Sequence, residues 1–316
     1  MKIFSGTANP QLTKKIANEL GIPVSPIDMH IFPDGEKRIR VIDRVVDEHC
    51  IVVQPTATPV DAHYMELFFI VDALARSGAQ SVTAIVPYLG YQRQDHVFRD
   101  GEAVSIEVIA HTLEASGISQ LIVCDLHTIK TPEIFRVPVF QVSALSLFAQ
   151  KIKDVIASEA RQSSPSTFSL ISPDMGGVRR IKLLSEMLDN MPYAVVEKNR
   201  DLESGKISAE NITGKVAETV CIVDDMIATG GTIVEAANMA QKMGAKKVFA
   251  CATHPVFSGD ASEVLQNSIV EKVFVTDDIV VPAEKIFPKL EIISIAGIIA
   301  KELKTQMSKL KTTTQN

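Results

Sequence analysis

Residues 220–232 read VCIVDDMIATGGT, and this stretch decides the fold class. The apolar run before Asp224 predicts a buried strand, which is followed by the acids Asp224 and Asp225. A turn of small residues then leads into a helical pattern that begins at Gly230. A strand followed by a short turn and a helix is the repeating unit of α/β proteins with parallel sheets.

The turn has the composition of a sugar-phosphate site. Backbone N–H groups and hydroxyls at the start of a helix can bind a phosphate, and the helix dipole favours the negative charge there. The two acids can accept hydrogen bonds from ribose hydroxyls or hold a metal ion. Acids after a strand can also simply cap a helix, but the glycines favour the binding site. The turn consists of Ala228, Thr229, Gly230, Gly231 and Thr232.

Short apolar runs alternate with helical patterns along the rest of the chain. Because these runs are apolar throughout, we predict parallel sheets covered on both faces, with ligands bound beyond the carboxyl ends of the strands. Strands are predicted at residues 2–5, 49–54, 81–87, 120–125, 168–172, 194–197, 219–224, 247–252 and 271–275. Helices are predicted at 10–21, 59–78, 106–116, 177–188 and 230–243.

The length of 316 residues predicts two domains. We place the boundary near Val142 and Ser143, which gives domains at 1–142 and 143–295. Residues 158–167 are polar and contain a proline, which is typical of a surface insertion. A last helix is predicted at 296–307, and a frayed tail at 308–316.

The composition excludes several classes of function. A net charge of -6 argues against broad binding to nucleic acid. The four cysteines are far apart and show no zinc spacing, and a cytoplasmic location fits them best. No apolar run is long enough to predict a membrane span, and none at the N-terminus predicts a signal peptide.

Other polar residues follow predicted strands and are candidates for the same site. Asp174 is a suitable magnesium ligand, although it could instead cap the helix after it. His127 follows the strand LIVCD, whereas His254 is interpreted as structural. Lys198 and Arg200 follow a strand in the stretch VVEKNR, where cations would ordinarily be solvated.

The motifs together resemble the ribose-phosphate diphosphokinases, also called phosphoribosyl pyrophosphate synthetases. The stretch 220–232 looks like the phosphoribosyl pyrophosphate loop that this family shares with phosphoribosyltransferases. Further segments match the diphosphokinases in order and spacing, and the resemblance spans residues 3–299. These segments are FPDGE (32–36), PYLGYQRQD (87–95), DLH (125–127), SPDMGG (172–177) and ATHPVFSG (252–259).

The resemblance implies two similar doubly wound domains of the phosphoribosyltransferase type, with the active site between them and the last helix returning to the first domain. It implies transfer of the diphosphoryl group of ATP to the 1-hydroxyl of ribose 5-phosphate, with Mg²⁺, for nucleotide, histidine and tryptophan biosynthesis. It also implies a homo-oligomer, commonly a hexamer built from dimers, because the ATP site uses a neighbour's loop.

The resemblance also assigns roles to residues of this chain. Lys198 and Arg200 would be catalytic, with residues 201–214 forming a flexible flap that excludes water. His127 and Asp174 would bind Mg²⁺, the imidazole acting more easily through water or a phosphate. ATP would contact Asp34, Gly35, Glu36, Arg93 and Gln94. Ribose 5-phosphate would contact Arg200, Asp224, Asp225, Ala228, Thr229, Gly230, Gly231 and Thr232.

The chain departs from the family pattern at several positions. Ala228 stands where many members have an acid, and the stretch after Asp95 is less basic than in those members, with His96, Val97, Asp100 and Glu102. Regulation by phosphate or ADP is therefore not predicted. Two alternatives stay open: a phosphoribosyltransferase, which needs no ATP site, and a non-catalytic regulatory paralogue.

Overall fold

A computed structural model describes residues 1–162, 167–200 and 207–313, and the chain divides into two compact units. The N-terminal unit contains Met1–Ser143, Asp278–Val280 and the chain from Ser294 onward. The C-terminal unit contains Ala144–Asp277 and Val281–Ile293. Both units are built on largely parallel sheets, as the sequence predicts.

The N-terminal unit has a parallel sheet with the strand order β2-β1-β5-β6-β7-β8. A separate antiparallel hairpin pairs β3 with β4, so that Ile31 lies opposite Lys37. The elements are β1 (Lys2–Ser5), α1 (Pro10–Leu20), β2 (Val24–Ser25), β3 (Ile27–Ile31), β4 (Lys37–Val41), β5 (His49–Val53), α2 (Val60–Arg76), β6 (Ser81–Val86), α3 (Ser105–Ala115), β7 (Gln120–Cys124), α4 (Thr131–Ile134) and β8 (Val139–Val142).

The C-terminal unit has a sheet with the order β11-β10-β9-β12-β13-β14-β15, which is parallel except where β10 pairs with β11. Its elements are α5 (Leu145–Gln162), β9 (Phe168–Ser172), α6 (Val178–Met187), β10 (Tyr193–Arg200), β11 (Ile207–Gly214), β12 (Thr219–Ile227), α7 (Gly231–Lys242), β13 (Lys247–Pro255), α8 (Ala261–Gln266), β14 (Val270–Thr276) and β15 (Leu290–Ile293). Short 3-10 turns lie at Met175–Gly177 and Ala283–Lys285.

Alternate residues of β12 pack into two separate cores. Val220 and Ile222 pack in a cluster with residues of α7 and α8, whereas Cys221 and Val223 pack in a cluster with residues of α5 and α6. Successive side chains of a strand point to opposite faces, so both faces of this sheet are covered by helices. This is why β12 is an unbroken apolar run up to Asp224.

Helix caps in the N-terminal unit follow from the local sequence. The Asn9 Oδ1 accepts a hydrogen bond from Leu12 N at 3.0 Å, and Gly21 ends α1 with a left-handed φ of 70°. The C-terminal helix α9 (Ala296–Thr313) packs against α1, and Lys304 Nζ donates to Glu19 O at 2.7 Å. The predicted end of this helix at Met307 is wrong, since residues 308–313 contain no glycine or proline and continue the helix.

Several predicted strand ends are too early. The strand predicted at 219–224 continues to Ile227, so Asp225 lies inside β12 rather than after it, because β13 continues to Pro255 and the pairing extends to Ile227↔Pro255. Lys198 and Arg200 likewise lie inside β10, whose backbone pairs with β11. Residues 207–214 of the predicted flap are therefore a β-strand, and residues 201–206 lie outside the described part of the chain.

The predicted insertion at 158–167 also differs in part. Helix α5 continues to Gln162, and residues 163–166 lie outside the described residues. No helix in the described part of the chain is long and apolar enough to span a membrane.

Candidate active site

Two adjacent carboxylates and one arginine form the centre of the C-terminal unit's polar site. The side chains of Asp224 and Asp225 are only 12% and 6% exposed. Arg180, in the first turn of α6, places its Nη1 at 3.4 Å from Asp224 Oδ1 and its Nη2 at 3.5 Å from Asp225 Oδ1. One guanidinium thus bridges both acids and offsets part of their charge.

Burial changes the protonation of Asp224, the first acid of this pair. The pKa of Asp224 is raised well above its usual value, first because burial removes the carboxylate from water and second because the negative charge of Asp225 is adjacent. Arg180 acts in the opposite direction and lowers the pKa of Asp224. The pair therefore favours a cation, or a ligand whose hydroxyls can donate hydrogen bonds to the two carboxylates.

The turn after β12 leads directly into α7. Its backbone is held by two hydrogen bonds from the segment after β13, Phe257 N to Ile227 O at 3.0 Å and Ser258 N to Ala228 O at 2.8 Å. Gly230, the N-cap residue, has a left-handed φ of 80° and no side chain with which to cap the helix. The first N–H groups of α7 therefore have no side-chain cap from the N-cap residue and form a candidate site for an anion.

The position of Thr229, Gly231 and Thr232 agrees with this arrangement. Thr229 and Gly231 are exposed, and Thr232 is half-buried at the start of α7. Together with Asp224 and Asp225, this turn brings carboxylates, hydroxyls and the N-terminus of a helix together at the carboxyl end of one strand.

Asp174 follows β9, the strand next to β12. Its Oδ1 accepts a hydrogen bond from Gly177 N at 3.1 Å and so caps the 3-10 turn that leads into α6. Gly177 cannot carry a side chain here, because a Cβ atom would lie 2.3 Å from Ser172 Oγ. The carboxylate is half-buried, so capping leaves part of it available to a metal ion.

The residues predicted for ATP lie on two loops of the N-terminal unit. Asp34, Gly35 and Glu36 form the exposed tip of the β3–β4 hairpin, where Glu36 N donates to Asp34 Oδ1 at 3.1 Å. Arg93 and Gln94 are exposed on the loop after β6. The exposed side chains on both loops can reach a ligand without rearrangement of the core.

A buried network fixes the start of the loop after β6. Tyr64 Oη donates to Gly90 O at 2.7 Å, and Gly90 N donates to Thr56 Oγ1 at 2.8 Å. A Cβ atom on Gly90 would lie 2.6 Å from Thr56 O, so the close backbone approach requires glycine. The backbone that precedes Arg93 and Gln94 is therefore fixed to the core by these hydrogen bonds.

His127 is exposed on the loop after β7, and its backbone N–H donates to Gln92 Oε1 at 2.9 Å. Gln92 is only 1% exposed. The sequence analysis missed both Gln92 and Arg180. Both residues lie close in sequence to predicted site residues: Gln92 is part of YQRQD, and Arg180 lies on the helix that follows SPDMGG. These positions could have indicated a role in the site.

Lys198 and Arg200 are described through their backbone alone. They pair with Ala209 and Ile207 in the antiparallel β10–β11 pair, and the register shifts between Glu197 and Lys198. An irregularity of this kind bends the backbone of the strand locally.

The donors suit magnesium better than a transition metal. Among the described residues, no three His, Cys, Asp or Glu side chains come together as a metal-binding cluster. Magnesium normally uses one or two carboxylates together with waters and substrate phosphates, rather than a cage made only of protein groups. Asp174 and the Asp224–Asp225 pair fit that requirement.

Comparisons with known proteins agree over nearly the whole chain. Residues 1–117 match the family model described as the N-terminal domain of ribose phosphate pyrophosphokinase, and residues 149–311 match the phosphoribosyl synthetase-associated domain. A ribose-phosphate pyrophosphokinase of Gloeobacter violaceus is 34% identical over 96% of this chain and 89% of its own length. Ribose-phosphate pyrophosphokinase 1 of Streptococcus pneumoniae is 36% identical over 95% of this chain and 91% of its own length.

A solved structure supports the same assignment. The crystal structure of phosphoribosylpyrophosphate synthetase from Mycobacterium smegmatis superposes with a TM-score of 0.89 at 31% identity, covering 98% of this chain and 99% of that one. The two matched domains, the full-length relatives and this fold all agree with the resemblance seen in the motifs. The chain belongs to the ribose-phosphate pyrophosphokinase family.

Proposed function

We propose that this protein transfers the diphosphoryl group of ATP to the 1-hydroxyl of ribose 5-phosphate, giving 5-phosphoribosyl 1-diphosphate and AMP. The observation that carries the proposal is the buried Asp224–Asp225 pair on the strand that leads into the N-terminus of α7. Full-length relatives that bear the name ribose-phosphate pyrophosphokinase support the same reaction.

The C-terminal unit provides the groups for the sugar. Asp224 and Asp225 accept hydrogen bonds from the ribose hydroxyls, which fixes the direction in which the 1-hydroxyl points. The turn from Ala228 to Thr232, together with the first N–H groups of α7, binds the 5-phosphate. Because the sugar is held at both ends, its 1-hydroxyl is positioned for attack on a phosphorus atom.

The N-terminal unit provides the groups for the nucleotide. Asp34, Gly35 and Glu36 contact ATP from the hairpin, and Arg93 and Gln94 contact it from the loop after β6. From the C-terminal unit, Lys198 and Arg200 stabilise the negative charge that develops on the transferred phosphates, and Arg200 also contacts the sugar phosphate. His127 and Asp174 hold Mg²⁺, which supplies charge neutralisation on the phosphate oxygens when bound.

The phosphoribosyltransferase alternative has less support, because it gives no role to the hairpin tip or to the loops that carry Arg93 and His127. A non-catalytic paralogue would not need Lys198 and Arg200. One series of assays distinguishes the diphosphokinase, the phosphoribosyltransferase and the non-catalytic paralogue. Purified protein is supplied with ribose 5-phosphate, ATP and Mg²⁺, and the products are identified by ³¹P NMR.

We expect AMP and a sugar 1-diphosphate, and neither should form when ribose 5-phosphate is left out. A parallel reaction supplies phosphoribosyl pyrophosphate with a mixture of nucleobases. Pyrophosphate release in that reaction, with no AMP in the first, would establish the transferase instead. A folded protein that is inactive in both would be a non-catalytic subunit.

We also propose that the chain forms a homo-oligomer, a hexamer built from dimers, in the cytoplasm. Exposed apolar residues on and after the β3–β4 hairpin support an interface, since Ile31 is 59% exposed and Ile42 is 46% exposed. Light scattering coupled to size-exclusion chromatography tests the state, and a monomer at micromolar concentration would contradict it.

A further inference from the structure

We propose that Gln92 is a positioning residue that joins the loop carrying His127 to the loop carrying Arg93 and Gln94. The inference rests on the proposed function of these loops in binding ATP. Gln92 lies next to Arg93 in the chain, yet its side chain turns inward and is 1% exposed. Arg93 and Gln94, by contrast, are exposed.

The topology gives this side chain its position. Strands β6 and β7 are parallel neighbours, so the loops that follow them leave the sheet at the same edge. The backbone pairing continues past the end of β6 as the bond from Cys124 N to Pro87 O, at 3.1 Å. Further along both loops, a side chain joins them instead of the backbone, because Gln92 Oε1 accepts a hydrogen bond from His127 N at 2.9 Å.

The backbone of Gln92 is held on its other side by a tight turn. Gln94 N donates to Tyr91 O at 2.8 Å, and Tyr91 has a left-handed φ of 63°. The Tyr91 hydroxyl in turn donates to Asp61. Because this turn is fixed, a displacement of the His127 loop relative to Arg93 and Gln94 would break the hydrogen bond to Gln92.

The orientation of the amide follows from its partner. A backbone N–H requires an acceptor, so Oε1 faces His127 and Nε2 points the other way. Nε2 is buried and has no hydrogen-bond partner among the described residues. A buried amide with an unused donor costs free energy, and the hydrogen bond from His127 N to Oε1 offsets part of that cost.

The unused donor makes a sharp test possible. Gln92→Glu keeps an acceptor oxygen for His127 N and loses no partner at Nε2, and burial favours the neutral, protonated form of the new carboxyl group. Gln92→Met keeps the volume but removes the acceptor. Gln120→Met is the matched control, because Gln120 is a glutamine of the same unit whose Nε2 donates to Thr83 Oγ1 at 2.9 Å. Gln120 has no role in the proposed reaction.

We expect Gln92→Met to lower kcat/KM for ATP roughly threefold to tenfold, which corresponds to the loss of one hydrogen bond. The KM for ribose 5-phosphate should stay within about twofold, and Gln92→Glu should restore most of the loss. In a His127→Ala background, Gln92→Met should have little further effect, because Gln92 acts through the loop that carries His127. Gln120→Met should behave as the wild-type protein.

A second measurement does not depend on activity. Amide hydrogen exchange in a peptide covering residues 124–130 should be faster in Gln92→Met than in the wild-type protein and unchanged in Gln120→Met. If Gln92→Met does not fold, Gln92→Asn takes its place, since the shorter side chain cannot reach His127 N.

The outcomes separate the two proposals. A wild-type protein that forms no AMP contradicts the proposed function, while the exchange measurement still decides the role of Gln92. Unchanged exchange, unchanged kcat/KM for ATP in an active enzyme, or effects of Gln92→Met and His127→Ala that simply add would each overturn the positioning role.

Discussion

Replacing Arg180 by methionine would leave the two buried carboxylates of the sugar site without their cation. Arg180 bridges Asp224 at 3.4 Å and Asp225 at 3.5 Å, and the three side chains are between 6% and 15% exposed. Removing one partner of a fully buried ion pair costs about 3–5 kcal/mol. The long distances and the remaining exposure place this site lower, at about 2–3 kcal/mol of unfolding free energy.

The loss of stability caused by Arg180→Met should depend on pH, and the pKa of Asp224 decides the direction of that dependence. That pKa is raised in the folded protein, so the folded state binds more protons than the unfolded state. The contribution of this group therefore favours folding at low pH and is lost as the pH rises through the folded pKa. Arg180 lowers the pKa of Asp224, and Arg180→Met removes that effect.

The difference in stability between the wild-type protein and Arg180→Met should thus be small near pH 4 and grow toward pH 7. Urea unfolding of the ligand-free proteins, followed by far-ultraviolet circular dichroism, measures it, because the chain has no tryptophan for fluorescence. Arg179→Met is the control, since Arg179 is exposed on the same helical turn. A loss equal to that of Arg179→Met, or one independent of pH, would refute the reasoning.

Three further predictions follow from single contacts. Gly177→Ala places a Cβ atom 2.3 Å from Ser172 Oγ. Overpacking of this kind should lower the free energy of unfolding, measured by thermal unfolding, by about 1–3 kcal/mol. The double variant with Ser172→Ala should recover part of the lost stability. Asp174→Asn should keep the hydrogen bond that caps Gly177 N, so the free energy of unfolding should stay within about 0.5 kcal/mol of the wild-type value. The rate of AMP formation should fall at least about 100-fold. A rate equal to that of the wild-type protein would contradict a metal-binding role. Burial raises the pKa of the Cys50 thiol to about 11. This thiol should therefore not react with a disulfide reagent at pH 8 until the protein unfolds. Rapid labelling of Cys50 in the folded protein would contradict this prediction.

The sequence predicted the fold class because the strand and helix periods are clear. The run from Val220 to Val223 is apolar on both faces, and two separate cores cover it in the structure. Asn9 and Gly21 likewise have the local chemistry of helix caps, and both ends of α1 follow from it. These features depend on nearby residues, so the local sequence is enough to predict them.

Strand ends and long-range partners could not be predicted in the same way. The strand β12 continues past Asp224 to Ile227 only because β13 is long enough to pair with it, and the sequence after Asp224 carries no sign of that length. The hairpin of β3 and β4 depends on pairing between Ile27–Ile31 and Lys37–Val41, which are short and partly charged strands. The roles of Arg180 and Gln92 depend on contacts with residues distant in sequence.

The central claim is tested most directly by following AMP formation from ATP and ribose 5-phosphate in the wild-type protein, in Lys198→Ala and in Lys182→Ala. Lys182 is an exposed lysine on α6 that has no role in the proposed reaction. We predict that the wild-type protein forms AMP and phosphoribosyl pyrophosphate in equal amounts without ADP. The rate should fall roughly 1,000-fold in Lys198→Ala and stay unchanged in Lys182→Ala. ADP as the product, or AMP formation that does not depend on Lys198, would contradict the account.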